Sequence, residues 1–492
     1  MTSKTYLSKS RILSAIQCPK RLFLETNHPE RSKISSSTES AFAIGHAVGE
    51  IAQRIYGNDD AVLILYEDGL ASAIRQTAEL MEAGPSVPIF EATFQYDDVL
   101  VRVDVLLPDG HSWRVVEVKA STKVKEVHHI DCAIQSWVIR SLGYPVSSVS
   151  LAHVNNQFVY KGDGNYIGML AEEDMTDSVA LLEKEVLALV ESARAALQNG
   201  EPPVDVGGHC TKPYSCPFIS HCWPTDVGYP VIGLGGGRTK LGALVSKGFH
   251  DIRDVPVEYV TGASQQRIHR VTCDGNAEIL PGGAEFVASL PYPRYYLDFE
   301  TIGPAVPIWA GTRPYATIPI QWSCHVEDAP SKLRHVEFLD LSGEPPMRRL
   351  AERMIECLGN EGPILMYTRY EEGVIRGLIE LFPDLATSLQ SLVDRLIDLY
   401  PVVKINYYHP KMLGSWSIKA VLPAMAPHMN YENLEGINEG LAASDGYLEA
   451  IDSSSSVERR AELEQQLLRY CRFDTKAMVE IVWFFERAAL IS

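Results

Sequence analysis

Three cysteines within thirteen residues, Cys210, Cys216 and Cys222 in HCTKPYSCPFISHC, constrain this chain more than any other feature. Thiols so concentrated need a shared partner: one another, a metal ion or a cluster. Nine cysteines, odd in number and unevenly spaced, do not read as a disulfide framework. The N-terminal stretch MTSKTYLSKSRILSAIQ has no apolar signal-peptide core, and no apolar run reaches membrane-spanning length. The expected setting is therefore the cytoplasm, with no membrane partner, where disulfides are rare. The three thiols read as metal or cluster ligands, and His209 and His221 beside them are further zinc-type donors.

At 492 residues the chain exceeds what one core supports, so two or three domains are expected. Residues 1–225 read as α/β. A helical pattern (AFAIGHAVGEIAQRIY) precedes the strand candidates PIFEATFQY, VLVRVDVLLP and WRVVEVKA, and helices follow over 127–142 and 174–199. Residues 226–290 alternate glycine-rich turns with short helical stretches and read as a helical connector. Residues 291–492 open on the strand RYYLDFETI, form a second α/β unit and close on a helix over 460–490. The tract IDSSSSVERR reads as a solvated loop.

Each of the first three strand candidates carries a carboxylate: Glu91, Asp104 and Glu117. Alternate strand residues share a face, so Glu117 and Lys119 project together. Two acids and a lysine at a sheet edge suit a metal-dependent phosphodiesterase, with Mg²⁺ or Mn²⁺ on hard oxygen ligands. A solvated strand face would carry the same residues, and spacing does not separate the two. Residues 10–225 resemble the RecB-type branch of the PD-(D/E)xK nucleases. The resemblance implies that Asp104 and Glu117-Val118-Lys119 form the motif, that Gln135 follows on the next helix, and that His46 is a metal ligand. Position 139, a tyrosine in that branch, is Ile here, leaving Gln135 and Trp137 for its contacts. Members of the branch hold an iron–sulfur cluster on one early and three late cysteines. By that resemblance Cys18 joins Cys210, Cys216 and Cys222 around a [4Fe–4S] cluster, with Zn²⁺ as the alternative.

Asp298 and Glu300 in YYLDFETIG share one strand face, and Tyr470 and Asp474 stand one helical turn apart in LLRYCRFDTKAMVEIV. This combination resembles the DEDD exonucleases of the ribonuclease-H-like fold, which implies two metal ions on four carboxylates, with Tyr470 orienting water. Glu371 is the choice for the fourth acid and Glu372 the alternative, and either also fits a helix start. Asp398 ends a further strand and is a second candidate ligand. The stretch YYHPKMLGSWSIKAVLPAM is similar to an uncharacterised bacterial family known only as a domain of unknown function. Gly414, Ser415, Ser417 and Lys419 within it could meet phosphate, or could be a helix cap with a surface lysine.

The expectation is a two-site metal-dependent nuclease acting on nucleic acid, DNA ahead of RNA and single-stranded ends above all. It would serve repair, turnover or defence, with a protein partner in such a complex. The net charge of −19 does not suit a nucleic-acid coat, but carboxylate sites reach phosphate through metal ions. Arg238, Lys240 and Lys247 in the connector, and Lys119, Lys123, Lys125, His128 and His129, are candidates for a local basic channel. Two rival readings stay open: one working site with the other inert, and a non-cleaving nucleic-acid-binding adaptor. A cluster-based redox sensor ranks below both.

Overall fold

Val99, Val101, Val103 and Val105 are buried and alternate with more open residues, which gives their segment one apolar face and makes it a strand. The computed structural model describes residues 6–33 and 36–489 and is mixed α/β. Its contacts divide the chain into two compact units. One holds the chain up to Trp223 with Gly237–Ser246 and Pro304–Tyr315. The other holds Pro224–Gly236, Lys247–Gly303 and the chain from Ala316. The 226–290 stretch is thus shared between units rather than standing alone.

In the first unit, helices α1 (Lys9–Gln17) and α2 (Ser36–Tyr56) precede a meander of β1 (Ile89–Tyr96), β2 (Val99–Asp109) and β3 (Ser112–Lys119). Helix α3 (Glu126–Ser141) then leads to β4 (Val146–Val154), which pairs parallel with β3. Strand β5 (Leu170–Asp174) closes that side of the sheet, and helix α4 (Thr176–Gln198) follows. Two-residue strands at Leu7–Ser8 and Val62–Leu63 complete seven. The register decides the site. Phe90 faces Val105 and Ala92 faces Val103 across β1 and β2, so Glu91 stands level with Asp104. Val105 faces Val116 across β2 and β3, so the next step brings Asp104 level with Glu117. The three acids form one row across the meander.

In the second unit, β6 (Arg294–Ile302), β7 (Ile318–Ala329) and β8 (Lys332–Leu339) form another antiparallel meander. Strands β9 (Ile364–Met366) and β10 (Leu396–Asp398) add to β6 in parallel, giving the order β8-β7-β6-β9-β10. Helix α5 (Tyr370–Leu381) follows β9, α6 (Leu399–Asn406) follows β10, and α7 is Ile418–Met425. The long helix α8 (Val457–Ala489) packs across β6 and β7. It covers the stretch expected to be helical, residue 490 lying outside the described residues.

Candidate metal centres

In the first unit, Glu117 is 1% exposed and every carboxylate oxygen of it has a donor. Lys9 Nζ and Lys119 Nζ reach Oε1 at 2.8 and 2.5 Å, and Gln135 Nε2 donates to Oε2 at 2.7 Å. Asp131, one helical turn before Gln135, accepts from Lys119 Nζ at 2.8 Å and from Gln135 at 3.1 Å, and Lys9 lies 3.4 Å away. Burial opposes the charge on Glu117, but Lys119 and Lys9 hold it ionised well below the usual range. Asp104 accepts from the Val118 N–H at 2.7 Å. Burial, with the Glu117 charge nearby, pushes its carboxyl up to about 7.

Asp104 also lines a cleft of about 520 Å³ with Glu91, Arg102 and His46. His46 is exposed on α2 rather than in the core. Glu91 pairs with Arg102 Nε at 2.7 Å and has φ 59°, a left-handed kink within β1. Asp104 therefore joins the cleft to the lysine-bound Glu117. The buried Gln135 Oε1 has no partner, which fits a hydrated cation close by. Lys9 and Asp131 escaped sequence reasoning. The D-x3-Q spacing on α3 could have flagged Asp131, whereas nothing near Lys9 sets it apart.

The four cysteines converge in the same unit. Cys18 caps the C-terminal end of α1 and lines one small pocket with Cys210, Cys216 and Cys222. Gln17 Nε2 ties α1 to the cysteine loop through the carbonyls of His209 (2.7 Å) and Tyr214 (2.8 Å). The Gly207 N–H points at Cys210 Sγ from 3.4 Å, and Lys20 and Arg21 line the pocket, donors and charges that suit thiolate ligands. Burial raises the Cys18 and Cys216 thiols and pushes Cys222 up to about 11, so ligation would release protons. A tetrahedral zinc with Zn–S bonds of about 2.3 Å draws its sulfurs within roughly 4 Å of one another. Among the described residues, no three of these sulfurs lie within 4.8 Å of one another. His209 lines the pocket, with Nε2 3.7 Å from Cys210 Sγ, whereas His221 is exposed and turned to Arg31 at 3.3 Å.

The second unit gathers its acids at the crossing of β6 and α8. Asp298 and Glu300 project from one face of β6, and ligand atoms of Asp298, Glu300 and Cys471 lie within 4.8 Å of one another. The Asp298 and Glu371 carboxyl groups lie close enough to perturb each other. Glu371 is 4% exposed and its Oε2 has no partner. Glu372 instead holds Arg369 and Arg376 at the surface, so Glu371 is the acid that joins the cluster. Asp474 accepts from Tyr431 OH and from Tyr470.

Burial, aided by the neighbouring acids, pushes Asp298 and Glu300 well above the carboxylate range. Burial likewise lifts Glu371 to about 7 and Asp474 to about 6, against the tyrosine hydrogen bonds and the Lys419 charge in the latter. Acids that retain protons for want of a counter-charge fit a cation site built of hard oxygen ligands. Lys419 is exposed; its Nζ donates to Asn438 O at 2.9 Å and lies over the Tyr431 and Tyr470 rings. Asp398 caps α6 through the Tyr400 N–H at 2.8 Å and also accepts from Thr368 N–H at 3.1 Å. It raises Glu371 by its charge and stands behind it. Ser415 and Ser417 hydroxyls pair at 3.1 Å, with Ser417 at the N-cap position of α7. Tyr431 and Cys471 were not anticipated, because neither falls in a spacing that by itself points at metal.

The expected basic channels do not form as read. Lys119 turns inward to Glu117 and Asp131, and His128 is 3% exposed with burial pushing it down to about 4. Burial and the neighbouring lysines keep it neutral, so this stretch is no continuous cationic face. Arg238 lies over Trp223 in the first unit, whereas Lys247 lies over Tyr259 in the second.

No helix among the described residues is long and apolar enough to cross a membrane. No curated protein matches the chain. A solved structure described as "Crystal structure of SSO0001" shares 14% identity over 46% of this chain and 90% of that one, with a TM-score of 0.22. Residues 295–417, which include Asp298, Glu300, Glu371 and Asp398, match a family described as a domain of unknown function, DUF2779.

Proposed function

We propose that the chain is a metal-dependent nuclease with two sites, acting on single-stranded ends of DNA in preference to RNA. The observation that carries this is the convergence of the half-buried Asp298 with the buried Glu300, Glu371 and Asp474, four acids from one strand and two helices, all held above the usual carboxylate range by burial. The strand order β8-β7-β6-β9-β10 supports a ribonuclease-H-like exonuclease fold for this unit. The acid row on the β1–β3 meander, followed by α3 and parallel β4, supports a PD-(D/E)xK fold for the first. Mg²⁺ or Mn²⁺ bound at such acids would lower the pKa of water and offset charge on the scissile phosphate.

The chain's own groups do the rest. Tyr431 and Tyr470 aim Asp474, and Glu371 stands close beside Asp298. Lys419 offers an exposed ammonium for a phosphate at the site's rim. In the first unit, Gln135 and the lysines fix Glu117, while Asp104 opens on the cleft that His46 borders. Cys18, Cys210, Cys216 and Cys222 line one small pocket, which supports a four-thiolate site for a [4Fe–4S] cluster, with Zn²⁺ as the alternative. One observation favours the reading with a single working site: both oxygens of Glu117 are already engaged by donors.

End-labelled single-stranded DNA incubated with Mn²⁺ and the full chain tests the proposal. Wild type is expected to cleave, Asp298→Ala to lose 3′-end trimming, and Asp104→Ala to lose the remaining cuts. Loss of all cleavage in one variant alone names the single working site. Binding without cleavage by the wild type refutes the nuclease reading in favour of an adaptor.

A further inference from the structure

Lys9 is the residue that no motif accounts for. It opens α1, and its side chain, 20% exposed, reaches the buried Glu117 at 2.8 Å and Asp131 at 3.4 Å, more than a hundred residues away in sequence. Lys119 meets the same two acids. Two ammonium groups thus share two carboxylates, and each limits what the other must neutralise. Without Lys9, both acids would draw on Lys119 alone, fixing it more tightly while leaving the site one charge more negative.

The other end of α1 is equally specific. Ser8 caps the start of the helix, where Leu7 pairs with Val99 of β2. Gln17 and Cys18 end it against the cysteine loop. Nine residues of helix make a rod of about 13 Å, stiff over that length. Its one end carries Lys9 and its other end a cysteine of the four-thiol pocket.

We propose that Lys9 is a positioning residue of the first-unit carboxylate site, and that the cysteine pocket holds it there through α1. The inference rests on the nuclease reading above and names how that site is set. Lys9 balances Glu117 and Asp131 so that Lys119, which meets the same two acids, is held less tightly than it would be alone.

The test uses the full, cluster-loaded chain carrying Asp298→Ala, so that the first-unit site is read alone, with Mn²⁺ binding followed calorimetrically beside single-stranded DNA cleavage. Lys9→Met is expected to tighten Mn²⁺ about tenfold, the effect of one unit charge roughly 6 Å from a divalent ion in a solvent-like dielectric. It is expected to lower kcat about tenfold, as loss of an orienting group does, with KM nearly unchanged. Lys9→Arg should restore most of kcat. Asp131→Asn should move Mn²⁺ affinity the other way, and it supplies the sign if Lys9→Met does not fold. A purely structural role would instead weaken Mn²⁺ binding and kcat together in Lys9→Met, and that result overturns the proposal, as does an unchanged kcat.

The link through α1 is read by Gln17→Ala, which releases the helix end while leaving all four cysteines in place. It should reproduce the Lys9→Met shift in Mn²⁺ affinity and add nothing to it in the double variant; additive effects overturn the link. If the Asp298→Ala chain binds no Mn²⁺ and cuts nothing, the nuclease reading of this unit fails, and the proposal with it. Binding and cleavage with an indifferent Lys9 sink the proposal alone.

Discussion

Glu371 and Glu372 are neighbours at the start of α5, yet they live in different media. Glu371 is buried against Asp298, whereas Glu372 binds two surface arginines. In an Asp104→Ala background, Glu371→Gln should cut the proposed exonuclease activity by at least roughly tenfold, the lower bound for losing a group that merely orients a ligand. Glu372→Gln should leave it within about twofold, since exposed ion pairs contribute little. Equal losses would remove Glu371 from the site. Tyr431→Phe takes from Asp474 its hydroxyl donor and should cost roughly 10- to 100-fold in metal affinity; calorimetric Mn²⁺ titration reads it.

The same acids predict a pH dependence. Asp104 and Glu371 are held up to about 7 and Asp474 up to about 6 by burial. The native state therefore binds more protons than the unfolded chain between the usual carboxylate range and neutrality. The stability these groups contribute is present in acid and lost as pH rises through their folded values. Thermal melts of metal-free protein should show Tm falling from about pH 5 to about pH 8, and Mn²⁺ should restore most of the loss at the upper end. A melting temperature that climbs with pH over this window would contradict the assignment.

At the scale of elements, α8 is both a site-bearing helix and a structural one. Thr475, fully buried, bonds Ser323 Oγ at 2.9 Å and His325 Nδ1 at 2.8 Å, and Ser323 in turn meets His335 Nε2 at 2.8 Å. Burial holds both histidines low, at about 3 and about 4, so the network is neutral near pH 7. Ser323 is the register partner of Asp298, which puts this network beside the acids on the same face of the sheet. Thr475→Val would leave buried polar groups unpaired and should cost about 1–3 kcal/mol in urea unfolding. Its effect on Mn²⁺ affinity should be small compared with that of Tyr431→Phe.

At the scale of the molecule, the division into units does not follow simple cuts in the chain. Gly237–Ser246 and Pro304–Tyr315 belong to the first unit although they follow its cysteine loop in sequence. Backbone bonds between Tyr160 and residues 311–312, and Tyr315 OH donating to Ala120 O, secure the later segment. A fragment of residues 1–225 lacks both pieces. It should unfold at lower urea than the first unit does within the full chain, as followed by Trp113 fluorescence. An equal midpoint would mean that those pieces contribute nothing to its stability.

The sequence determined the elements and the acids they carry. Alternation in VLVRVDVLLP and RYYLDFETI makes strands wherever an apolar face must be buried, and the spacing of Tyr470 and Asp474 places them on one helical face. Asp298, Glu300 and Asp104 could be named because chemistry-bearing residues stand at fixed intervals within a single element. What only the tertiary structure decided is which charges meet. Lys9 reaches Glu117 across 108 positions and Tyr431 reaches Asp474 across 43, and Lys119 turns from a solvent-facing channel to a buried pair. The choice between Glu371 and Glu372 came the same way. Periodicity reports which side of an element faces the core; a charge buried there takes whichever partner packing brings within reach, and packing is a property of the whole fold.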